Sequence, residues 1–305
     1  MNNIGIIDIG SNTIHLLIVN IDNKYNIKIL EKDKEHLRLG AALSLDKNIS
    51  QEKIGETITI IKRYLRSCII NNVSNIIAVA TEAFRAATNS DYILHLIKKH
   101  TGLSINILSQ GEEAYLSYLG VTTVCNIKKG IIMDTGGNST ELISVENNKF
   151  KNYVSIPLGA INITEKINVT TSGKYLSCDY DTAYFTNLFS STPWLKSFSG
   201  TSLIGIGGTF KNIRRIYNNN TDSLLNPNSS FTSISNSNIQ VLCNHIKNID
   251  LKERKKLKGL SKKRGDIVLG GCEIITQLIA YCNFEEITLC DEGLRTGILQ
   301  NYINQ

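Results

Sequence analysis

The sequence carries the same short pattern twice, with Asp8 of the first copy 126 positions before Asp134 of the second. Residues 7–19 align with residues 133–145, and five of the 13 aligned positions are identical: Asp8/Asp134, Gly10/Gly136, Asn12/Asn138, Leu16/Leu142 and Val19/Val145. In each copy an apolar run ends in Asp-x-Gly-x-Asn, a hydroxyl residue follows, and a second apolar run begins. Apolar runs on both sides of a glycine-containing turn predict two strands joined as a hairpin. We therefore expect one such hairpin in each of two domains.

The repeated turn has the composition of an anion site. Glycine lets the backbone approach a ligand closely, and successive N–H groups with Ser or Thr hydroxyls form an anion-binding concavity. The Asp at the strand end can hold Mg²⁺ through water, because Mg²⁺ keeps much of its hydration beside phosphates. A single copy is equally compatible with an ordinary Asx turn. Two aligned copies favour two loops that grip one phosphate chain from both sides.

The rest of the chain alternates predicted strands with predicted helices, which is typical of an α/β fold. Apolar or alternating runs predict strands at residues 4–9, 15–21, 25–37, 75–80, 104–108, 130–133, 141–145, 149–156, 202–206 and 286–290. Helix patterns occur at residues 51–70 (capped by Ser50), 90–100, 112–124, 160–166, 180–189, 264–281 and 292–303, and another helix follows Gly207-Gly208-Thr209. Residues 218–238, rich in Asn and Ser, are expected to form a loop, with Ser235 or Ser237 capping the next helix.

Length and composition exclude several classes of protein. The chain has 305 residues, about two domains by length alone, and no uncharged apolar run of about 18 residues that would predict a membrane-spanning helix. Its N-terminus enters a strand pattern directly, so we expect no secretory signal. Seven scattered cysteines without a CxxC pair indicate buried thiols in a reducing cytosol. No P-loop or Rossmann fingerprint is present, and the net charge of +6 favours an anionic partner.

Six motifs in the order typical of one family extend over nearly the whole chain. They are Asp8-Ile-Gly-Ser-Asn-Thr, the Ala- and Arg-containing segment 80–89, Gly-Glu-Glu-Ala-Tyr-Leu-Ser-Tyr-Leu-Gly-Val at 111–121, Asp134-Thr-Gly-Gly-Asn-Ser-Thr-Glu-Leu, Gly207-Gly-Thr and Gly293-Leu-Arg-Thr-Gly. Any one of them is a weak signal. Together they resemble the Ppx/GppA phosphatases, which are exopolyphosphatases and guanosine pentaphosphate phosphohydrolases of the actin, Hsp70 and sugar-kinase superfamily.

The resemblance implies a fold of two α/β, actin-like (ribonuclease H-like) domains with the active site in the cleft that separates them. The first would span residues 1–122, with a last helix at 297–305 packing on it, and the second residues 123–296. Three departures stand out. Asn138 replaces a Gly of the second loop, where tolerance of a left-handed backbone would preserve the turn. Thr296 replaces a Glu in a motif that we interpret as helix packing, and Ser109-Gln110-Gly111 is shifted by one at the start of the catalytic helix.

The resemblance also assigns roles to individual residues. Glu113 matches the general base that activates water, and Glu112 would be its neighbour at the helix start. Arg85 matches the active-site arginine, whose planar guanidinium suits a phosphoryl oxygen. Asp134, Glu141 and Asp8 match carboxylates on the metal side, with Glu141 also counted as catalytic. The phosphate-binding set is Ser11, Asn12, Thr13, Gly136, Gly137, Asn138, Ser139, Thr140, Gly207, Gly208 and Thr209.

The implied activity is hydrolysis of terminal phosphoanhydride bonds of polyphosphate, with Mg²⁺ as cofactor and K⁺ as a candidate activator. The expected partner is polyphosphate or pppGpp, with no specific nucleic acid and no membrane; a homodimer is left open. Three alternatives remain: 5′-phosphohydrolysis of pppGpp, a kinase-like ATP phosphotransferase with an acceptor other than water, and a non-catalytic sensor of polyphosphate or alarmone. A Glu that activates water argues against the kinase, and the intact carboxylates argue against the sensor.

Residues 252–264 are strongly basic, with eight Lys or Arg and one Glu in 13 positions. A positive ridge of this kind would attract polyphosphate, and salt would weaken the attraction. The segment is also compatible with a solvated helix face. It contains no aromatic residue, which a nucleic-acid surface would be expected to interleave with its charges.

Overall fold

The computed structural model describes residues 2–40, 46–220 and 229–305. The chain divides into two compact units, Met1–Leu116 with Ile298–Gln305, and Ser117–Gly297. Each unit contains one copy of the repeated sequence pattern. The bounds 1–122 and 123–296 stay a prediction.

A five-stranded sheet forms the centre of the first unit. Its strands are β1 (Asn2–Ile9), β2 (Thr13–Ile21), β3 (Ile27–His36), β4 (Asn75–Ala80) and β5 (Asn106–Ile107). They lie in the order β3-β2-β1-β4-β5. Strands β1, β2 and β3 form an antiparallel meander, while β4 is parallel to β1 and β5 to β4. The carboxyl ends of β1, β4 and β5 therefore meet at one edge of the sheet.

Helices cover the sheet of the first unit. They are α1 (Gln51–Ile70), α2 (Glu82–Ala86), α3 (Ser90–Thr101) and the first part of α4 (Gln110–Thr122). The Ser50 hydroxyl accepts a hydrogen bond from the backbone N–H of Lys53 and caps α1, as predicted. Gly102, with φ +72°, ends α3 in the left-handed conformation that glycine adopts without strain. Tyr64 of α1 and Phe84 of α2 are buried among the isoleucines of β1 and β2.

The second unit repeats the architecture of the first. Its strands are β6 (Lys129–Thr135), β7 (Thr140–Glu146), β8 (Lys149–Ile156), β9 (Ile167–Val169), β10 (Tyr175–Cys178), β11 (Ser202–Ile206), β12 (Phe231–Ser235) and β13 (Glu286–Cys290). Six of them form a sheet in the order β8-β7-β6-β11-β13-β12. The meander β6-β7-β8 and the parallel strands β11 and β13 match the first sheet strand for strand. Strand β12 adds an antiparallel edge, and β9 and β10 form a separate pair.

The helices of the second unit are α5 (Ala160–Thr164), α6 (Thr182–Ser190), α7 (Gly207–Asn220), α8 (Asn236–Asn248), α9 (Leu251–Arg254), α10 (Val268–Cys282) and α11 (Leu294–Ile303), which continues into the first unit. Helix α10 is buried along most of its length, and four other helices of the second unit, α5, α6, α7 and α8, pack against it. Gly270 of α10 lies so close to α5 that a Cβ there would be 2.4 Å from the Ala160 carbonyl oxygen. Within the described ranges, every helix is too short or too polar to cross a membrane.

The structure corrects the predicted loop at residues 218–238. Residues 218–220 end α7, Phe231–Ser235 is strand β12, and residues 221–228 lie outside the described residues. Strand β12 alternates exposed and buried residues, with Thr232 and Ile234 buried. Its period of two is that of a half-buried strand, which the Ser- and Asn-rich composition concealed. Ser235 caps α8, as predicted, by accepting from the backbone N–H of Asn238.

The basic segment 252–264 is not one helix face. It contains the short α9, the Gly259 turn at φ +96°, and a 3₁₀ helix, Lys262–Arg264. Arg254 within it is buried and only 1% exposed. The lysines therefore come from two short helices and the turns that connect them, and helical periodicity could not predict their arrangement.

Candidate active site

The repeated turn has the same geometry in both units. Asp8 lies opposite His15 across β1 and β2, and Asp134 lies opposite Glu141 across β6 and β7, with the same offset of 126. The turn is closed in the first unit by a hydrogen bond from the Gly10 N–H to the Thr13 carbonyl (3.0 Å). In the second unit the Gly136 N–H donates to the Ser139 carbonyl (2.9 Å). The two copies of the sequence pattern therefore have the same strand register and the same turn.

The first loop, Ser11-Asn12-Thr13, is buried and fixed by its neighbours. The Asn12 carbonyl accepts hydrogen bonds from the backbone N–H groups of Leu37 and Arg38, both at 3.1 Å. The Ser11 hydroxyl donates to Glu82 Oε2 at 2.7 Å, a contact that becomes available because β4, which precedes α2, lies beside β1. The side-chain oxygen of Asn12 is buried without a hydrogen-bond partner, which is the state of an atom that awaits a ligand.

Arg85 and Glu113 form an ion pair in the first unit. Arg85 Nη1 donates to Glu113 Oε2 and to the Leu108 carbonyl, both at 2.7 Å. The two side chains are 18% and 11% exposed, so the pair is largely withdrawn from solvent. Arg85 Nη2 is buried and has no hydrogen-bond partner. The guanidinium therefore orients the carboxylate with one nitrogen and has a second nitrogen available for an acceptor.

A capping box starts α4 and separates the roles of Glu112 and Glu113. Glu112 accepts from the backbone N–H and the hydroxyl of Ser109, whose hydroxyl accepts in turn from the Glu112 N–H. These hydrogen bonds, led by the one from the backbone N–H, lower the pKa of Glu112. Glu112 is exposed whereas Glu113 is buried, as expected for adjacent positions of a helix. The shift of one in the Ser109 motif leaves the helix start intact.

The second loop is held by α5. The Ala160 and Ile161 N–H groups donate to the carbonyls of Gly136 (3.0 Å) and Gly137 (2.7 Å). Gly159 lies against the loop so closely that a Cβ would be 2.3 Å from the Gly137 carbonyl carbon. Asn138 does not occur among the described residues with positive φ, so its replacement of Gly requires no left-handed backbone, contrary to expectation. Its side-chain oxygen is buried without a partner, as is that of Asn12.

Hydroxyl groups fix the two carboxylates beside the second loop. Glu141, only 2% exposed, accepts at Oε1 from the hydroxyls of Ser139 and Ser155, both at 2.9 Å. Asp134 accepts at Oδ2 from the Ser117 hydroxyl at 3.0 Å. The Thr140 hydroxyl donates to the Leu158 carbonyl at 2.6 Å, so the hydroxyl protons of both Ser139 and Thr140 are already committed within the protein.

The residues of the second unit fit a hydrated Mg²⁺. Asp134 and Glu141 are directly opposite in an antiparallel pair, which places both on one face of the sheet, where two like charges destabilise each other unless a cation lies nearby. Within the described ranges, no three His, Cys, Asp or Glu residues form a cluster that could hold a metal by themselves. Mg²⁺ suits this arrangement because it is commonly bound by one or two carboxylates, waters and substrate phosphates. Asp8 occupies the equivalent position of the first unit.

The start of α7 completes the second unit's group. Gly207, at φ +84°, bridges to Thr135, and a Cβ there would lie 2.6 Å from Asp134 Oδ1. The helix therefore directs its first N–H groups, which have no partner within the helix, to the edge of the sheet beside Asp134, and such N–H groups favour anions. The hydroxyl oxygens of Thr135 and Thr209 are buried without hydrogen-bond partners, and the Thr209 side chain lies against Gly271 of α10.

Cations surround this helix start. The Arg264 guanidinium lies against Gly208, where a Cβ would be 2.2 Å from its Nη1. Burial, reinforced by the charge of Arg295, lowers the pKa of Lys211 to about 8, and Asp291, Glu292 and Asp134 oppose that shift. A site that concentrates positive charge beside two carboxylates is suited to a highly charged anion together with a divalent cation.

The structure brings the predicted residues into two groups, one in each unit. The first unit holds Asp8, Ser11, Asn12, Thr13, Arg85 and Glu113, and the second holds Asp134, Gly136–Thr140, Glu141 and Gly207–Thr209. The sequence analysis missed Glu82, Ser117, Ser155, Lys211 and Arg264. Ser117 had a signal, since it lies in the same motif as Glu113 and four positions after it. Glu82 had the same kind of signal, since it lies in the 80–89 motif three positions before Arg85. Ser155 had none, because only the fold brings it to Glu141.

Comparison with known proteins gives relatives over nearly the whole chain. The chain is 29% identical to a bifunctional 3-dehydroquinate synthase/phosphatase of Fusobacterium nucleatum, covering 98% of this chain but only 46% of that protein. It is 24% identical to exopolyphosphatase 1 of Mycobacterium leprae, over 97% of this chain and 88% of the relative. It is also 24% identical to a guanosine-5′-triphosphate,3′-diphosphate pyrophosphatase of Vibrio parahaemolyticus, and this match covers 98% of this chain and 59% of the relative.

Solved structures share the fold. An exopolyphosphatase from Cytophaga hutchinsonii superposes on this chain with a TM-score of 0.87 at 24% sequence identity. The Aquifex aeolicus Ppx/GppA family member superposes with a TM-score of 0.81 at 23% identity. Each match covers 99% of this chain and 98% of the other. The repeated sheet order is therefore that of the two-domain, actin-like fold of these proteins. The model of the Ppx/GppA phosphatase family matches residues 17–305. This chain, with its two repeated loops and its Arg85–Glu113 pair, belongs to the Ppx/GppA phosphatase family, a family of phosphoanhydride hydrolases.

Proposed function

We propose that this chain is an exopolyphosphatase, which releases orthophosphate from the end of a polyphosphate chain. The observation that carries the proposal is the second loop. Two facing carboxylates, a helix start and buried, unpartnered threonine hydroxyls lie together there, with arginine and lysine charges around them. A phosphate chain with Mg²⁺ is the ligand whose charges and hydrogen-bond acceptors match this set. The relative from Mycobacterium leprae is named exopolyphosphatase 1.

Glu113 is the base in this proposal. Its carboxylate, oriented by Arg85, takes a proton from water, and the water oxygen forms a bond to the terminal phosphorus. The anhydride bond to the next phosphate breaks, which leaves orthophosphate and a chain one unit shorter. Phosphoryl transfer of this kind asks the protein for positioning and for charge stabilisation more than for covalent chemistry. Arg85 Nη2 would donate to a phosphoryl oxygen, a role supported by its burial without a hydrogen-bond partner.

Mg²⁺ is the proposed cofactor, with K⁺ as an activator. Asp134 and Glu141 would hold the Mg²⁺ through water, and Asp8 is the corresponding carboxylate of the first loop. The metal would neutralise part of the negative charge on the phosphate chain. The residues of both loops would bind phosphate oxygens through backbone N–H groups and through the Thr209 hydroxyl. The side-chain oxygens of Asn12 and Asn138 would accept hydrogen bonds from water bound to the Mg²⁺ of the phosphate chain.

A pppGpp 5′-phosphohydrolase is the second candidate. The relative named guanosine-5′-triphosphate,3′-diphosphate pyrophosphatase has the same 24% identity to this chain as the relative named exopolyphosphatase 1, although the match covers 59% of the former and 88% of the latter. Both substrates end in a phosphoanhydride and would use the same base. They differ in the guanosine, which a pppGpp hydrolase must accommodate.

The test measures phosphate release from long-chain polyphosphate and from pppGpp in parallel, with Mg²⁺ and K⁺ present. Glu113→Gln should abolish release and leave substrate binding nearly unchanged, because only the basic carboxylate is lost. Glu112→Gln is the matched control, since that neighbour is exposed and caps the helix; its rate should remain near that of the wild type. Release from pppGpp alone would establish the second candidate. Binding without release of phosphate from either substrate would establish a sensor, and full activity of Glu113→Gln would refute the choice of base.

A further inference from the structure

Four lysines line a surface pocket of about 520 Å³ on the second unit. The pocket is lined by Lys252, Lys255, Lys256 and Lys262, together with Ser172 and Leu251. All four lysines are exposed. They come from α9, the residues after it and the 3₁₀ helix Lys262–Arg264, so that separate turns of the chain converge on one concave surface.

A buried arginine holds the backbone beneath this pocket. Arg254 donates from Nε to the Gly265 carbonyl (2.9 Å), from Nη1 to the Ile249 carbonyl (2.7 Å) and from Nη2 to the Gly173 carbonyl (2.6 Å). Three separate chain segments are thereby tied to α9. The stem of Lys255 also rests on Gly265, where a Cβ would be 2.9 Å from its Cγ. The lysines therefore project from a fixed platform, and ordering them around a ligand costs side-chain entropy only.

The carboxylates next to the pocket lysines in sequence, Asp250 and Glu253, are hydrogen-bonded to the backbone. They form the capping box of α9, where each accepts from the backbone N–H of the other. Within the part of the chain that the structure describes, none of the four pocket lysines forms an ion pair. Four like charges around one concavity concentrate a positive potential, which a polyanion would relieve.

One 3₁₀ helix links the lysine pocket to the start of α7. Lys262 lines the pocket, and Arg264, two residues later in the same 3₁₀ helix, lies against Gly208 at the start of α7. The basic segment thus connects the pocket and the candidate phosphate site within one unit.

We propose that the lysine pocket binds a part of the polyphosphate chain remote from the end that is hydrolysed. The pocket is then an exosite of the exopolyphosphatase proposed above, and this inference depends on that proposed function. A phosphate chain repeats its negative charge along its length and has no bulky group, which suits closely spaced lysines. The described residues that line the pocket include no aromatic side chain on which a nucleic-acid base could stack. Short chains that end at the second loop would not reach the pocket.

The test compares two variants of equal charge change. In the pocket variant Lys252, Lys255, Lys256 and Lys262 are all replaced by Gln. In the control variant the exposed lysines Lys28, Lys62, Lys149 and Lys151 are replaced by Gln instead. For the pocket variant we expect KM for long-chain polyphosphate to rise about tenfold, in the range of electrostatic effects on charged ligands, with KM for tripolyphosphate changed by less than about twofold. The kcat for both substrates should not change, and the control variant should match the wild type.

Equilibrium binding separates this inference from the enzyme proposal. Long-chain polyphosphate is titrated into Glu113→Gln protein with and without the four pocket substitutions, and single-stranded DNA of equal charge is titrated in parallel. Wild-type hydrolysis with no change of KM or Kd in the pocket variant would overturn the exosite and leave the enzyme intact. Loss of DNA affinity without loss of polyphosphate affinity would also overturn it. A wild type that does not hydrolyse polyphosphate, but whose affinity for it depends on the pocket, would overturn the enzyme proposal and keep the binding site.

Discussion

Buried polar atoms without hydrogen-bond partners mark the candidate site residue by residue. Among the described residues, they include the side-chain oxygens of Asn12 and Asn138, the hydroxyls of Thr135 and Thr209, and Arg85 Nη2. Such a group loses its hydrogen bonds to water on folding, which costs about 1–3 kcal/mol unless a ligand or an ordered water satisfies it. Glu273 Oε2, far from these loops in the sequence, differs from them because Lys247 lies 2.7 Å from it. The loops therefore retain polar atoms that stability alone would not maintain.

Thr209→Val tests this interpretation at one atom. Valine keeps the shape of threonine and removes the unpartnered hydroxyl, so we expect no loss of thermal stability. Loss of one hydrogen bond to phosphate should raise KM for polyphosphate about tenfold, equivalent to about 1.4 kcal/mol. Thr57→Val is the control, because the Thr57 hydroxyl donates to the Lys53 carbonyl within α1, and KM should not change. An unchanged KM in Thr209→Val, or a large loss of stability, would show that the hydroxyl has a structural role.

The titration of Lys211 gives a prediction about pH. Its pKa falls from 10.5 to about 8 in the folded protein, through burial and the charge of Arg295. Between those pH values the unfolded chain binds more protons than the folded one, so this lysine makes stability rise with pH. We expect Lys211→Met to be more stable than the wild type at pH 7, and the difference to shrink as the pH rises through 8 toward 10.5. Urea unfolding across this range, in buffer without divalent cations, measures it. A difference independent of pH would contradict the lowered pKa.

At the scale of secondary structure, the strands and helices that could be predicted are those with local signals. The hairpins β1-β2 and β6-β7 have apolar runs on both sides of a repeated turn, and α1 has its Ser50 cap, so their existence and bounds follow from nearby residues. Helix α2 has five residues, and strands β9 and β10 have three and four. Elements this short do not complete a hydrophobic period, and their neighbours in the fold decide their conformation.

The supporting contacts of the site could not be predicted for the same reason. The motif sequences identify Glu113, Asp134 and Glu141 as candidates, because the side chains proposed for the chemistry lie within short patterns of Gly, Ser and acid residues. The groups that hold them come from distant positions: Ser11 and Glu82 are 71 residues apart, and Arg85 and Glu113 are 28 apart. A sequence pattern reports what is adjacent along the chain, whereas these pairs depend on the parallel placement of β1, β4 and β5.

The start of α7 provides a prediction at the element scale. Gly207→Ala places a Cβ in a left-handed backbone and 2.6 Å from Asp134 Oδ1, so it should destabilise the chain and displace the carboxylate. Gly200→Ala is the matched control, since Gly200 has φ +73° and nothing within 4 Å of its Cβ position. Backbone strain of about 1–3 kcal/mol is expected in both variants. Only Gly207→Ala should also lower kcat/KM and raise the Mg²⁺ concentration needed for half-maximal rate. Equal kinetics in the two variants would show that the position of Asp134 is not critical.

At the scale of the whole molecule, the two units share one arrangement of strands. The orders β3-β2-β1-β4-β5 and β8-β7-β6-β11-β13 are the same, and β12 is an addition to the second sheet. The offset of 126 that aligns the sequences also aligns the strand registers and the turn hydrogen bonds. The same strand register in the two sheets does not by itself mean that the two loops have the same function. A loop that served only as a turn would need its glycine and the hydrogen bond from the glycine N–H that closes the turn. A buried amide oxygen without a partner would add nothing to the stability of such a turn.

Both loops keep such an oxygen, on Asn12 and on Asn138. Because an amide oxygen accepts hydrogen bonds, we expect each to bind a water molecule of the Mg²⁺ that accompanies polyphosphate. Asn12→Ala and Asn138→Ala should each raise KM for polyphosphate about tenfold. The free energy of unfolding should change little in Asn138→Ala. It should fall by about 1 kcal/mol in Asn12→Ala, which also loses the hydrogen bond from Asn12 Nδ2 to Thr13 Oγ1 (3.3 Å). If the two losses are independent, the double variant should show the product of the single effects. Steady-state kinetics and urea unfolding of the three variants measure this. If only one single variant raises KM, the other copy of the repeat is a structural turn, and the phosphate chain is bound by one unit alone.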